Sequence, residues 1–469
     1  MSDPIELALS DAPTPLPLRL SSWTLHVENL GKLSPCDVRT HPLMLLVGDN
    51  NAGKTYLTTM LYGLVNELDE VFPPTPLPSP HYDACLSWLK AWLGRPLPSS
   101  IALTPDFCAA ILAYFNAVLA SRASALTEQA FNNKGVAPGL SLQLRDLELH
   151  HQPTLAFYPT GPDGDPAAML SARATIPFRP IFNFYSDALT SPEALYRLVQ
   201  YITAQLLGPA PGGCVYLPAS RSGFVQLFRE SARASNDRRR LRPRFVSPSR
   251  LTAPMVDFMD FLSIIDTTKR GLFAEEADLL QAACLDGQLE AATDGPVNDY
   301  AYRPSGAAEA LPMTLSSAVV TELAPIVLSL RHEDMGMMIL EEPEAHLHPK
   351  LQRALAQTIV RLVRKGLYVC ITTHSENFCQ QINNFMKIGA LADPSATAQS
   401  LGYGPQDFLK ADEVGAYEFR NKGDHAEVRE LPRTRTGLEM PLFNEELLKL
   451  SEETLKLQDL LAEAEGDAS

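Results

Sequence analysis

Leu43-Met44-Leu45-Leu46-Val47-Gly48-Asp49-Asn50-Asn51-Ala52-Gly53-Lys54-Thr55 decides how the rest of the chain is read. An apolar run with no polar alternation reads as a strand covered on both faces. It ends in Gly48, followed after four residues by Gly53-Lys54-Thr55. The apolar positions Tyr56, Leu57, Met60, Leu61, Leu64 and Val65 then recur at helical spacing. Strand, glycine loop and helix in this order are the context a phosphate-binding loop requires; a tight glycine turn without a ligand is the other reading. Gly48 and Gly53 let the N–H groups of Asn50, Asn51 and Ala52 turn inward, and the helix N-terminus adds partial positive charge. Lys54 then reaches the terminal phosphates, and the Thr55 hydroxyl ligates a magnesium ion.

Composition narrows what surrounds this loop. The chain has 469 residues, enough for two or three domains or for one head with large insertions, and carries a net charge of −16. Such a surface is not basic throughout, so contact with nucleic acid needs a local positive patch. Cys36, Cys85, Cys108, Cys214, Cys284, Cys370 and Cys379 are scattered without a C-x-x-C pair, which fits buried thiols better than disulfides or a zinc site. The start, Ser2-Asp3-Pro4-Ile5-Glu6, is acidic and does not read as a signal peptide. No unbroken apolar stretch approaches the ~18–20 residues of a membrane span. The expectation is a cytoplasmic protein with no membrane contact.

Along the chain, Trp23–Leu30 alternates and reads as a strand exposed on one face. Pro73–Pro80 is dense in proline, an extended spacer or a ligand for a proline-binding module. Residues 82–134 read as helical, and residues 140–178 as an antiparallel hairpin or meander. A helix at about 192–207 and a strand Gly213–Pro218 follow. Between Arg229 and Arg250 eight arginines gather (229, 233, 238, 239, 240, 242, 244 and 250), either a footprint for phosphate backbone or an acidic partner, or a solvated loop. Residues 252–292 read as helical.

Three further segments carry chemistry. Met337-Met338-Ile339-Leu340 is an apolar strand ending in Glu341-Glu342-Pro343-Glu344. Glu341 suits a magnesium ion, held directly or through water, and Glu342 suits polarising the attacking water. His346 and His348, two apart past a proline turn, read as loop or packing residues before a metal pair. Leu367–Ile371 is a third apolar strand, and at its tip His374 is placed to bond a terminal phosphate or the attacking water. Ser316 and Ser317 precede an apolar helical run; they read as a helix cap or as donors to a phosphate held by a second subunit. Asn421-Lys422-Gly423-Asp424 matches a guanine-reading pattern, but lies between alternating strands where these are ordinary turn residues.

This order of motifs resembles the ABC-type ATPase head of the SMC, RecF and overcoming-lysogenization-defect (OLD) group, an α/β P-loop NTPase fold with an antiparallel β subdomain and a largely helical insertion. The likeness rests on Gly48–Thr55, on Ser316-Ser317 with Glu322–Pro325, on Glu341–Pro349 and on Thr372-Thr373-His374-Ser375, with Tyr216–Arg221 a recurring companion. It implies two copies sandwiching ATP and Mg2+. Lys54 and Thr55 would act from one head and Ser316 or Ser317 from the other, with Glu342 as base and His374 as switch. Ala318 stands where the transporter-type signature has glycine. The parts then read as residues 22–72, head with the phosphate loop; 73–139, proline-rich connector and helical insertion; and 140–223, antiparallel part with the next helix and strand. After these come 224–309, helical insertion with the arginines; 310–435, second part of the head; and 436–469, terminal helix. OLD-type nucleases carry a Toprim domain with an Asp-x-Asp pair, and none follows His374. The resemblance therefore implies an ATPase that controls a separately encoded effector, a nuclease or toxin, in bacterial anti-phage defence. A RecF/SMC-like DNA-binding ATPase of DNA repair or maintenance, contacting DNA through Arg229–Arg250, is the alternative.

Overall fold

The computed structural model describes residues 21–66, 71–93, 99–133, 135–149, 154–160, 165–171, 182–183, 191–207, 213–226, 251–292, 298–434 and 437–466. The three apolar runs of the sequence become neighbouring strands of one six-stranded sheet. Its spatial order is His425–Glu430, Val414–Lys422, Leu43–Gly48, Tyr368–Thr373, Met337–Glu341 and Cys214–Leu217. All neighbours are parallel except the outer hairpin pair, His425–Glu430 on Val414–Lys422. Numbered along the chain, the five parallel strands lie in the order 5-1-4-3-2, so the His374 strand separates the phosphate-loop strand from the acid-pair strand. Parallel pairing in near register (Leu46 opposite Thr372, Glu341 opposite Thr372) brings Gly48, Glu341 and Thr373 to one edge of the sheet. Ligands of open parallel sheets collect at this carboxyl edge.

The side-chain period of two sorts these strands into two cores. Met44, Leu46, Met337, Ile339 and Cys370 face one core, closed by the helix Lys54–Asn66, the insertion helices and the strand Ser21–Glu28. Leu43, Leu45, Val47, Met338, Leu340, Val369 and Ile371 face the other, against the helices Ala274–Cys284, Ala318–His332, Pro349–Arg364 and Glu376–Gly389. Ser317 caps Ala318–His332 by accepting from the Val320 N–H at 3.4 Å. His348 caps Pro349–Arg364, its Nδ1 accepting from the Lys350 N–H at 3.3 Å, with proline at the first helical position.

Several local readings change once distant segments meet. Ser21–Glu28 is the middle strand of a three-stranded sheet between Cys36–Arg39 and Ser141–Leu149, so Ser22 and Thr24 are buried rather than facing water. Ser141–Leu149 thus leaves the expected meander, although Thr154–Thr160 and Asp165–Ser171 do pair as a hairpin. Ser99–Ala102, inside the stretch read as helical, is a strand beside Thr154–Thr160. The stretch 252–292 holds the helices Ala253–Ile264 and Ala274–Cys284 but closes in the strand Gly287–Ala292, paired with Asp299–Pro304. The proline stretch is held in place: Tyr196 Oη donates to the Pro73 carbonyl at 2.7 Å, and the Leu77 N–H donates to Tyr114 Oη at 3.1 Å. Among the described residues one helix, Pro105–Phe131, has the length and apolarity of a membrane span. Its Phe107, Ile111, Tyr114, Phe115, Val118 and Leu119 are buried in the first core. Arg229–Arg250 lies outside the described residues.

One buried carboxylate ties the helix Pro349–Arg364 to the turn at Gly404. Asp407, 1% exposed, accepts from Arg361 through both oxygens at 2.7 and 2.8 Å, from Gln357 at 2.6 Å and from the Gly404 N–H at 2.7 Å. Burial pushes its pKa up, but these bonds outweigh burial and leave it below the ordinary aspartate value. Asp407→Asn leaves a buried guanidinium contact half-satisfied and is expected to cost about 2–4 kcal/mol, read from urea midpoints. The carboxylate's contribution is complete above the ordinary aspartate pKa of ~3.9 and is lost as pH falls through the lower folded value. A wild-type and variant difference that persists unchanged well below that range would refute the assignment.

Candidate functional site

Gly48 leaves its strand at φ +120°, and a Cβ there would lie 2.1 Å from the Phe419 carbonyl oxygen. Only glycine lets the chain pass this neighbouring backbone. The loop is then pinned on its far side. The Asp49 N–H donates to the Phe419 carbonyl at 2.8 Å, the Asn421 N–H to Asp49 Oδ2 at 2.8 Å, and Asn421 Nδ2 to the Asn50 carbonyl at 3.0 Å. Asn51 at φ +56° and Gly53 at φ +96° complete the curl, and the Leu57 N–H to Gly53 carbonyl bond starts the helix. Asn421-Lys422-Gly423-Asp424 is the hairpin turn expected from its composition, with Gly423 at φ +73°. Its contact with the phosphate loop was not legible, because it joins residues more than 370 positions apart.

The loop walls a cavity of about 1120 Å³. Asn50 to Tyr56 line one side, Glu342, Thr372 and His374 the other, and Gly31 with Lys32 one end. Lys54 Nζ folds over the loop, donating to the carbonyls of Asp49 at 2.7 Å and Gly48 at 3.1 Å. Burial lowers its pKa to about 8 against the opposing pull of Glu342, Asp49, Glu341 and Glu344. Glu342 sits at φ +43°, its N–H held by the Thr372 carbonyl at 2.9 Å, and its Oε1 lies 3.8 Å from His374 Nε2. Burial, then the charge of Lys54, holds His374 below the ordinary histidine value, which leaves a neutral imidazole near pH 7.

Glu344 positions this histidine. Its Oε1 accepts from the His374 N–H and from Thr373 Oγ1, both at 2.8 Å, and burial raises its pKa. Glu341 is turned inward: Thr58 Oγ1 and the Ala219 N–H each donate to it at 3.2 Å, and Tyr216 Oη lies 3.1 Å from Thr58 Oγ1. It is 2% exposed and does not line the cavity. The donor set suits magnesium, since Thr55 brings a hydroxyl to the cavity and Glu341 stands behind it as a carboxylate partnered only by neutral donors. Among the described residues no cluster of three acids, histidines or cysteines could cage a metal alone. A divalent ion here would take water or phosphate oxygens among its ligands. His348 is a helix cap and His346 is exposed.

Ser316 and Ser317 are not brought to this cavity within one chain. They sit at the head of Ala318–His332, on an edge where Leu315 is 70% exposed. Reading the sequence missed Thr58, Tyr216, Arg221, Glu344 and Asn421 as parts of the site. Glu344 carried a signal in the Glu-Glu-Pro-Glu run, Tyr216 and Arg221 in their recurring segment, and Asn421 in its turn motif, but none of these gave the contact made here.

A phosphate loop on the first strand of a 5-1-4-3-2 parallel sheet, with paired acids on strand 3 and a polar tip on strand 4, defines a P-loop NTPase. Residues 256–379 match the family model of the AAA ATPase domain, a segment that takes in Ser316, Glu341, Glu342 and His374. No curated protein matches. Among solved structures, an SMC head bound to the C-winged helix domain of ScpA is 10% identical, with 87% of this chain and 96% of that chain covered at a TM-score of 0.34. The SMC head domain from Thermotoga maritima is 10% identical, with 88% and 100% covered at 0.33. An Smc head with an extended coiled coil, bound to the C-terminal domain of ScpA and derived from Pyrococcus furiosus, is 12% identical, with 92% and 98% covered at 0.31.

The lowered Lys54 value predicts a proton linkage. A triphosphate on the loop stabilises the ammonium and raises its pKa from about 8. Nucleotide binding is expected to take up a proton above that pH and to weaken by at most about tenfold per further pH unit. Below it, binding is insensitive to this group. Titration calorimetry in two buffers of different ionisation enthalpy measures the uptake directly; zero uptake at roughly pH 8.5 would contradict the placement of Lys54.

Proposed function

We propose that this ATPase is magnesium-dependent, that two heads pair around ATP, and that the cycle controls a separate effector protein. The observation that carries the hydrolytic reading is the convergence of Lys54, Glu342 and His374 on one cavity from three different strands. Lys54 and the loop N–H groups hold the β- and γ-phosphates, and Thr55 and Glu341 would hold a magnesium ion, which would supply charge stabilisation to those phosphates. Glu342 orients and deprotonates the attacking water, and the neutral His374 donates to the γ-phosphate as charge builds there.

Pairing is supported by what one chain leaves undone. Ser316 and Ser317 stand on an exposed edge with Leu315 and outside their own cavity, as donors reserved for a neighbour's nucleotide would. Control of a nuclease or toxin in anti-phage defence is supported by the resemblance of the motif order to the OLD-like group. Co-expression with the adjacent gene, followed by purification on this chain alone, tests that part; a product that never joins the complex counts against it.

Glu342→Gln is expected to bind ATP normally, lower turnover at least about 100-fold and accumulate as an ATP-bound pair by light scattering. Turnover at the wild-type rate would remove Glu342 as base. Lys54→Ala is expected to lose nucleotide affinity by at least about 100-fold, since it removes a buried charge from the phosphates. Chelating magnesium should stop turnover and adding it back should restore it; hydrolysis undiminished in excess chelator would end the metal assignment.

A further inference from the structure

Arg221 belongs to the Tyr216–Arg221 segment, which the reaction as described does not use. Its side chain is 0% exposed, as is that of Ser317's helix neighbour Glu322 to within 1%. A guanidinium has five N–H donors, and here all five are engaged. Four hydrogen bonds and one ion-pair contact account for them: Nε donates to the Glu322 carbonyl at 3.3 Å, Nη1 to the carbonyls of Pro218, at 2.9 Å, and Glu341, and Nη2 to the Glu342 carbonyl at 3.2 Å, while Nη2 also lies 2.9 Å from Glu322 Oε2 without hydrogen-bond geometry. The turn that delivers Arg221 is itself committed. Ser220 takes φ +58°, the Ala219 N–H holds Glu341 Oε2, and the Ser222 N–H holds Glu322 Oε1.

We propose that Arg221 is a positioning residue for hydrolysis: it fixes the backbone of Glu341 and Glu342 to the helix that begins at Ser317, so that capture of the Ser316 edge by a second head bears on the base. This rests on the reading of Glu342 as base. Glu342 holds a left-handed backbone, a conformation that costs about 1–3 kcal/mol and survives only where its surroundings over-determine it. Arg221 and Thr372 grip its carbonyl and N–H from opposite sides. Glu322 lies one turn inside a helix whose first residues form the exposed edge, and a helix moves as a rigid body. A shift at Ser316 therefore reaches the Glu342 carbonyl through one ion pair and one hydrogen bond. An apolar residue of similar volume would fill the space at no desolvation cost, but only a planar fork can join three chain segments at once.

The test uses Arg221→Lys, which keeps the charge without the fork, and Glu322→Gln, which keeps the shape without the charge. ATP affinity, turnover and melting temperature are measured for each, with Glu342→Gln in parallel and with Ser316→Ala in the wild-type and Arg221→Lys backgrounds. Both variants should hold ATP within about threefold of wild type while kcat falls about tenfold or more. Ser316→Ala should slow the wild type yet add less than about twofold to Arg221→Lys, the non-additivity of residues on one path. Three results overturn the proposal: kcat unchanged in both variants while Glu342→Gln is slow, multiplicative effects of Ser316→Ala and Arg221→Lys, or affinity and melting temperature falling with kcat in both variants, which marks a merely structural role. A fast Glu342→Gln removes the base itself, and is told apart because it leaves the Arg221 variants irrelevant to the outcome.

Discussion

The site depends first on a contact that involves no functional group. At Gly48 the chain leaves its strand past the carbonyl of Phe419, with room for hydrogen and nothing larger. That passage sets the direction of the loop, the loop sets where Lys54 begins its helix, and the helix fills the first core with Leu57, Met60, Leu61 and Leu64. A steric constraint of the backbone thus lies under the nucleotide loop, and the core and the cavity are built from the same turn of chain.

Charge balance is the second constraint. Glu341, Glu342 and Glu344 crowd the end of one strand, and the cations that meet them are Lys54 on the cavity side and Arg221 on the protein side. Neither forms an ordinary ion pair with the acids at the sheet edge. Lys54 donates to loop carbonyls, and Arg221 donates to the carbonyls of the acids rather than to their carboxylates. The carboxylates stay available to Thr58, Ala219, Thr373 and His374, whose neutral donors hold them without neutralising them. A divalent cation at the sheet edge would bring the positive charge this arrangement leaves unsupplied.

The sequence was most legible where one local pattern carries one physical demand. The three apolar runs could only be buried strands, and the Gly48–Thr55 spacing only a curled loop ahead of a helix. It was least legible where pairing is non-local. Ser141–Leu149 has the alternation of a meander strand, yet its partner is Ser21–Glu28, across more than a hundred residues. Gly287–Ala292 follows a helix closely enough that its acids read as that helix's end, until Tyr300 and Tyr302 across the hairpin supply the buried face. Arg221 stood in the recurring Tyr216–Arg221 segment, but its buried network was not legible for the same reason: two of its acceptors lie about 100 and 120 positions away.

The hairpin Val414–Glu430 has a consequence for recognition. By bonding Asp49 and Asn50 through Asn421, it shapes the loop before any ligand arrives. The conformational entropy of ordering those backbone amides is then spent during folding rather than at each encounter. A preorganised cradle of this kind captures its ligand without a slow rearrangement.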